Sequence, residues 1–172
     1  MARYIYSYLL ATGSMSRRTA DRLTKPAIET FLETQSTGTL ALADRNDSYA
    51  IPVAFTFAPE PEDFYFRLGY GVESRKREYI ESTDQATFVV AAETESGWKS
   101  VVAAGEIEHR NTTDNLSEIA GTEYSSDEPQ SDAKHERNIP FYNVFESPSE
   151  LLFTLARLRT TELTGVVEAT DR

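Results

Sequence analysis

From residue 38 to residue 110 the apolar positions recur mostly at every second residue, the period of strands rather than helices. GTLALAD (38–44) alternates Leu40 and Leu42 with smaller residues, and YAIPVAFTFA (49–58) sets Val53, Phe55 and Phe57 on one face. FYFRL (64–68) puts Phe64, Phe66 and Leu68 on one face and Tyr65 and Arg67 on the other. ATFVVAAET (86–94) is an almost continuous apolar run, and WKSVVAAGEIEHR (98–110) is a long strand that Gly105 bends or bulges. Strand character returns in ELLFTLARLRTTELTGVVEA (150–169), which divides near Thr160–Thr161. RNDS (45–48), PEPED (59–63) and ESG (95–97) are turns by composition. Pro52 removes a ladder donor from its strand and so predicts an edge or a bulge, where backbone groups can face a ligand.

Two stretches carry helical spacing instead. In TKPAIETFLETQ (24–35), Thr24 caps, Pro26 sits in the first turn, and Ile28, Phe31 and Leu32 form one stripe. A shorter helix over 74–82 starts behind Ser74 and turns Tyr79 and Ile80 inward. Hairpin-length links pair neighbouring strands antiparallel, and a sheet of this size closes into a small barrel to remove its edges. The expectation is one mainly β (α+β) domain over 24–172, preceded by an N-terminal extension, 1–23. Residues 111–149 are polar, acidic and poor in large apolar side chains, and read as an inserted surface segment.

Composition narrows the chemistry. Without cysteine there are no disulfides, no thiolate catalysis and no thiolate-held metal. His109 and His135 lie too far apart in sequence to suggest a metal site, and both read as surface residues; no metal is expected. No apolar run reaches membrane-spanning length. The apolar patch Tyr4–Leu10 lacks the basic flank and cleavage site of a signal peptide, so a cytoplasmic protein is expected, with Met15 as an alternative start. The Asn-x-Ser/Thr matches at Asn111 and Asn115 then read as chance. Net charge is −11, from 17 basic and 28 acidic residues. Lys25, Lys76, Lys99 and Lys134 stand against 13 arginines. Such a surface suits a salt-rich, halophilic cytoplasm, where screening removes self-repulsion; an ordinary acidic protein is the alternative. It argues against duplex nucleic acid as a partner.

Against that acidity, the cations Arg75, Lys76 and Arg77 follow one another at a helix start, where the backbone is already partly positive. A helix N-terminus binds phosphate through free N–H groups, Ser74 adds a hydroxyl, Arg75 a bidentate fork and Lys76 a point charge. The competing reading is surface pairing with acids such as Glu73 and Glu78, which contributes little. GYG (69–71) lacks the third glycine of a dinucleotide fingerprint. Phe55, Phe57, Phe64 and Phe66 read as barrel core.

The order of these pieces resembles a known family. The opening helix with FLETQSTGTLALAD, the YAIPVAF strand, FYFRL with SRKREYI, WKSVVAAGEIE and LARLRTTELTG (155–165) are similar to the flavin-binding split barrels of the pyridoxamine 5′-phosphate oxidase-like group, nitroimidazole-resistance-type branch. That resemblance implies a six- to seven-stranded antiparallel split β-barrel with a few short helices. It also implies FMN as cofactor, a homodimer with two shared sites, and oxidoreductase chemistry on a small-molecule substrate it does not identify. Arg75 and Lys76 match the family's phosphate-binding pair and Ser74 the small residue before it. Arg67 matches a polar position facing the flavin tail, or is simply solvated at a strand edge. Pro52, Val53, Phe55 and Thr56 match the strand whose backbone approaches the isoalloxazine ring. Trp98 and Ser100 match a segment that meets the cofactor at the subunit interface, though Trp98 also reads as a core or interface aromatic. The tail LTGVVEATDR lacks the C-terminal arginine-leucine motif of the true oxidases, so the resemblance does not extend to pyridoxamine 5′-phosphate oxidation. Segment 111–149 has no counterpart in the family. A deazaflavin-dependent reductase on the same barrel, and a non-enzymatic flavin carrier or redox sensor, are the alternatives.

Overall fold

The computed structural model describes residues 20–113, 135, 138–140 and 151–168. In chain order the elements are β1 (Asp21–Arg22), α1 (Lys25–Glu33), β2 (Thr37–Asp44), β3 (Asp47–Ala58), β4 (Asp63–Gly71), α2 (Arg75–Ser82), β5 (Gln85–Thr94), β6 (Gly97–Thr113) and β7 (Leu151–Glu168). Every pairing is antiparallel, in the order β1-β7-β4-β3-β2-β5-β6, and a β6–β7 ladder closes the last six strands into a ring. The expected barrel is therefore present, with β1 added at the end of β7, inside the stretch read as an N-terminal extension.

Alternation along the strands fills the ring. Leu40, Leu42, Val53, Phe55, Phe64, Phe66, Leu68, Phe88, Val90 and Val101 all point into one buried cluster. Phe88 sits at its centre, with ring contacts of 5.1, 5.2 and 4.8 Å to Phe55, Phe64 and Phe66. The apolar stripe of α1, Ile28, Phe31 and Leu32, joins the same cluster and closes it on one side. Thr24 is the N-cap of α1, but its side chain makes no capping bond; Pro26 takes its place in the first turn.

Two strands depart from their expected outlines. β7 is unbroken where the sequence suggested a division: Gly105 pairs with Thr160 and Ala104 with Glu162, which leaves Thr161 as an extra residue. The Thr-Thr pair is thus a bulge, not a strand end, and Gly105 is its counterpart. A Cβ on Gly105 would lie 2.0 Å from the Arg159 carbonyl oxygen, so no other residue lets the strands approach this closely. β6 also continues to Thr113, three residues into the segment read as an insertion, past a second irregularity between His109 and Thr112.

One feature opens the barrel. β3 pairs with β2 over Asp47–Ala54 but with β4 only over Phe55–Ala58. β4 continues to Gly71 with β7 as its partner. Between the two, the ladder is split, and α2 follows directly from the β4 side of that split. Pro52 lies on the half of β3 that has no ladder with β4, as its missing donor predicted.

Candidate functional site

α2 follows the part of β4 that has left β3, and the first residues of β3, Asp47 and Tyr49, contact it. Pro52 is exposed and Thr56 half-buried on the outer face of β3, whereas the Val53 and Phe55 side chains belong to the core. Those two can offer a ligand only their backbone, which is the role the resemblance implied for them.

At the start of α2, Ser74 is the N-cap: its hydroxyl accepts from Arg77 N at 3.3 Å and donates to Gly71 O at 2.8 Å. The three cations behind it are disposed differently. Arg77 is spent within the helix, its Nε donating to Glu81 at 2.7 Å and its Nη1 to Val72 O at 2.9 Å. Arg75 is largely exposed and donates through Nη2 to Asp47 at 3.2 Å and to the Tyr79 hydroxyl at 3.3 Å. Lys76 is half-buried, and its Nζ donates to Gly69 O at 2.7 Å. Among the described residues Lys76 has no carboxylate partner, and burial pulls its pKa below the ordinary lysine value. Arg75 and Arg77 do pair with surface acids, as the competing reading held, through Asp47 and Glu81 in place of the Glu73 and Glu78 it took as examples.

Sequence reasoning missed the surroundings of Arg75. Asp47, Tyr49 and Tyr79 enclose it, the two rings stacked 5.0 Å apart and the guanidinium 5.4 and 5.3 Å from their centroids. Tyr79 donates its hydroxyl to Asp47 and, with the charge of Arg75, holds that carboxyl below the usual aspartate range. Tyr79 was legible as an inward residue; its pairing with Asp47 depends on how the β2–β3 turn folds back over α2.

Arg67 lies on the outer face of β4, half-buried rather than solvated, and its Nη1 donates to Ile139 O at 3.3 Å. Ile139 is 3% exposed and packs with Ala58, Tyr65, Phe153 and Leu155 in a second, smaller cluster. His135, expected at the surface, stacks on Tyr65 at 5.6 Å. Part of the polar segment 111–149 is therefore packed against the barrel; the rest of it lies outside the described residues. Nearby, the buried Asp63 holds Arg157 through Nε at 2.7 Å and the Thr160 amide at 3.0 Å.

Trp98 and Ser100 are elsewhere. They stand on the outer face of β6, which the ring separates from β3 by β2 and β5. Trp98 is 46% exposed and so is no core aromatic. One protomer does not bring these two residues to the split. Among the described residues no group of three or more acids and histidines could hold a metal, and no helix is long and apolar enough to cross a membrane.

An antiparallel barrel whose ring is closed by β6 and β7 and split between β3 and β4 defines a split-barrel protein. Residues 24–166 match the pyridoxamine 5′-phosphate oxidase family, and the chain belongs to it. Solved structures share the fold at low identity. A candidate pyridoxamine 5′-phosphate oxidase of Corynebacterium glutamicum has TM-score 0.60 and 16% identity, covering 88% of this chain and 100% of its own. The FAD-binding protein of Mycobacterium smegmatis has TM-score 0.57 and 15% identity, covering 88% and 100%. A candidate 5-nitroimidazole antibiotic resistance protein of Bacteroides thetaiotaomicron has TM-score 0.51 and 13% identity, covering 89% and 92%. No curated protein matches the chain.

Proposed function

We propose that this protein is a homodimeric flavoprotein that binds FMN at the split and uses it in electron or hydride transfer to a small molecule. One observation carries the reading. Lys76 keeps a charged ammonium half-buried against a neutral carbonyl, a costly arrangement that a phosphate would compensate. Ser74 and Arg75 flank it at the helix start, where backbone N–H groups favour an anion. The edge of β3 at Pro52, free of β4, supplies backbone groups for the ring. The cations at the helix start support one phosphate: Arg77 pairs with Glu81 and Arg75 in part with Asp47, so Lys76 and the remaining donors of Arg75 suit FMN better than the longer tails of FAD or a deazaflavin. When bound, the flavin supplies the redox chemistry; the chain supplies anchoring, ring orientation and exclusion of water.

The outer face of the barrel supports the dimer. The cross-strand row Pro52–Thr39–Val89–Val102–Thr164 contains no charge, in a chain of net charge −11. Trp98 and Val102, two of the three exposed large apolar residues among those described, lie on this face. A two-fold contact through it would carry Trp98 and Ser100 of each subunit towards the other's split.

The test is direct. The protein purified in high salt is yellow, and denaturation releases a compound with the mass of FMN. A heavier chromophore absorbing near 420 nm would replace FMN by a deazaflavin. A colourless protein that also ignores added FMN would end the flavin reading.

A further inference from the structure

Arg75 is answered by an acid from another element. Asp47 opens β3 just after the β2–β3 turn, and its Oδ2 receives both Arg75 Nη2 and the Tyr79 hydroxyl. The stacked rings of Tyr49 and Tyr79 hold the guanidinium in place over them. Both polar contacts of the guanidinium fall on Nη2, which leaves Nη1 and Nε for another acceptor. The Arg75 and Asp47 side chains are 59% and 68% exposed, so their pairing does little for stability. It does much to the local potential, because a second anion on the same guanidinium would sit beside a carboxylate that stays ionised at neutral pH.

We propose that Asp47 is a specificity-determining residue of the cofactor site: its carboxylate occupies Arg75 as a phosphate would and opposes any phosphate that binds there. This rests on the flavin-phosphate reading of the site. Asp47 then weakens retention of phosphate-bearing flavin and leaves ring binding untouched, making the cofactor exchangeable rather than permanently held. Two anions sharing one guanidinium stand about 6 Å apart, and between aqueous and surface dielectric their repulsion weakens binding by about tenfold.

The experiment measures dissociation constants for FMN and riboflavin by flavin fluorescence, using the full chain freed of cofactor. Wild type, Asp47→Asn, Arg75→Ala and the double variant are compared, with thermal melts confirming that each is folded. The Asp47→Asn change keeps the size of the side chain and one acceptor oxygen for Arg75 and Tyr79, and removes the negative charge. The expected result is FMN binding about tenfold tighter in D47N with riboflavin unchanged, and FMN binding weakened by Arg75→Ala whether or not Asp47 is present. Unchanged or weaker FMN binding in D47N overturns the proposal. So does a parallel gain for riboflavin, or FMN binding that Arg75→Ala leaves unweakened. If wild type binds neither flavin, the flavin reading itself has failed and this inference falls with it, a result distinct from the others.

Discussion

Lys76 shows how a single residue can be read from both directions. Its place behind Ser74 and Arg75 is a local pattern, legible because cap, helix start and cation run lie within the four residues 74–77. Its half-burial against Gly69 O is not local, since it needs β4 to run on past the end of its ladder with β3. The pH consequence follows from the depressed pKa. In the free protein Lys76 loses its proton below the usual lysine range, while a phosphate beside it raises that pKa again. FMN affinity is therefore full below the free-state pKa and declines as pH rises through it, with proton uptake on binding in that window. Titration of FMN affinity between about pH 7 and about pH 10.5 checks this; flat affinity would remove Lys76 from the phosphate. Arg75→Ala with Lys76→Ala removes two charge-assisted contacts, about 1.5–3 kcal/mol each, and retention of FMN should fall at least about a hundredfold in a folded protein. Normal cofactor content in that double variant would sink the assignment. Asp47 and Tyr49 were invisible at this scale, because no sequence pattern reports which turn folds over which helix.

Among the elements, the strands were legible because inward and outward positions alternate over most of their length, while their ends and bulges depend on the partner strand. The Thr160–Thr161 pair reads as a break because two polar β-branched residues interrupt the apolar run. The register instead keeps β7 continuous and sets Thr161 aside as the extra residue opposite Gly105. The strand serves neighbours on its two edges, pairing with β4 over its first half and with β6 along most of its length. Gly105→Ala tests its importance: a Cβ 2.0 Å from the Arg159 carbonyl cannot be accommodated without moving backbone. The expected cost is about 2–3 kcal/mol in denaturant unfolding, typical of forced overpacking. A change under about 0.5 kcal/mol, the size of a neutral surface substitution, would mean the ladder shifts freely there. The split between β3 and β4 was half legible: Pro52 marked the edge, but only the ladder shows where β4 leaves it.

At the scale of the whole molecule, the distribution of charge bears on the proposed dimer and on stability in salt. The uncharged face around Val89 and Val102 interrupts an otherwise acidic chain, and Val102→Arg should place like charges across a two-fold contact. Sedimentation should then give a monomer with weakened flavin binding, while a dimer unchanged by that substitution would move the interface elsewhere. Pairing two chains doubles the charge to be held together, from −11 per protomer. In dilute buffer the Debye length reaches about 30 Å, so repulsion acts across the entire assembly; near 1 M salt it falls to about 3 Å and neighbours scarcely sense one another. The described ion pairs other than Arg157–Asp63 have at least one partner more than half exposed, and salt removes little by screening them. Screening therefore relieves more repulsion than it costs in attraction. Melting temperature and dimer fraction should both rise steeply from dilute buffer to molar salt, most of the gain arriving as the Debye length drops below the spacing of surface carboxylates. Melting measured by circular dichroism at about 0.01, 0.1, 1 and 3 M potassium chloride checks this. A curve flat from end to end would mark an ordinary acidic protein rather than one adapted to salt.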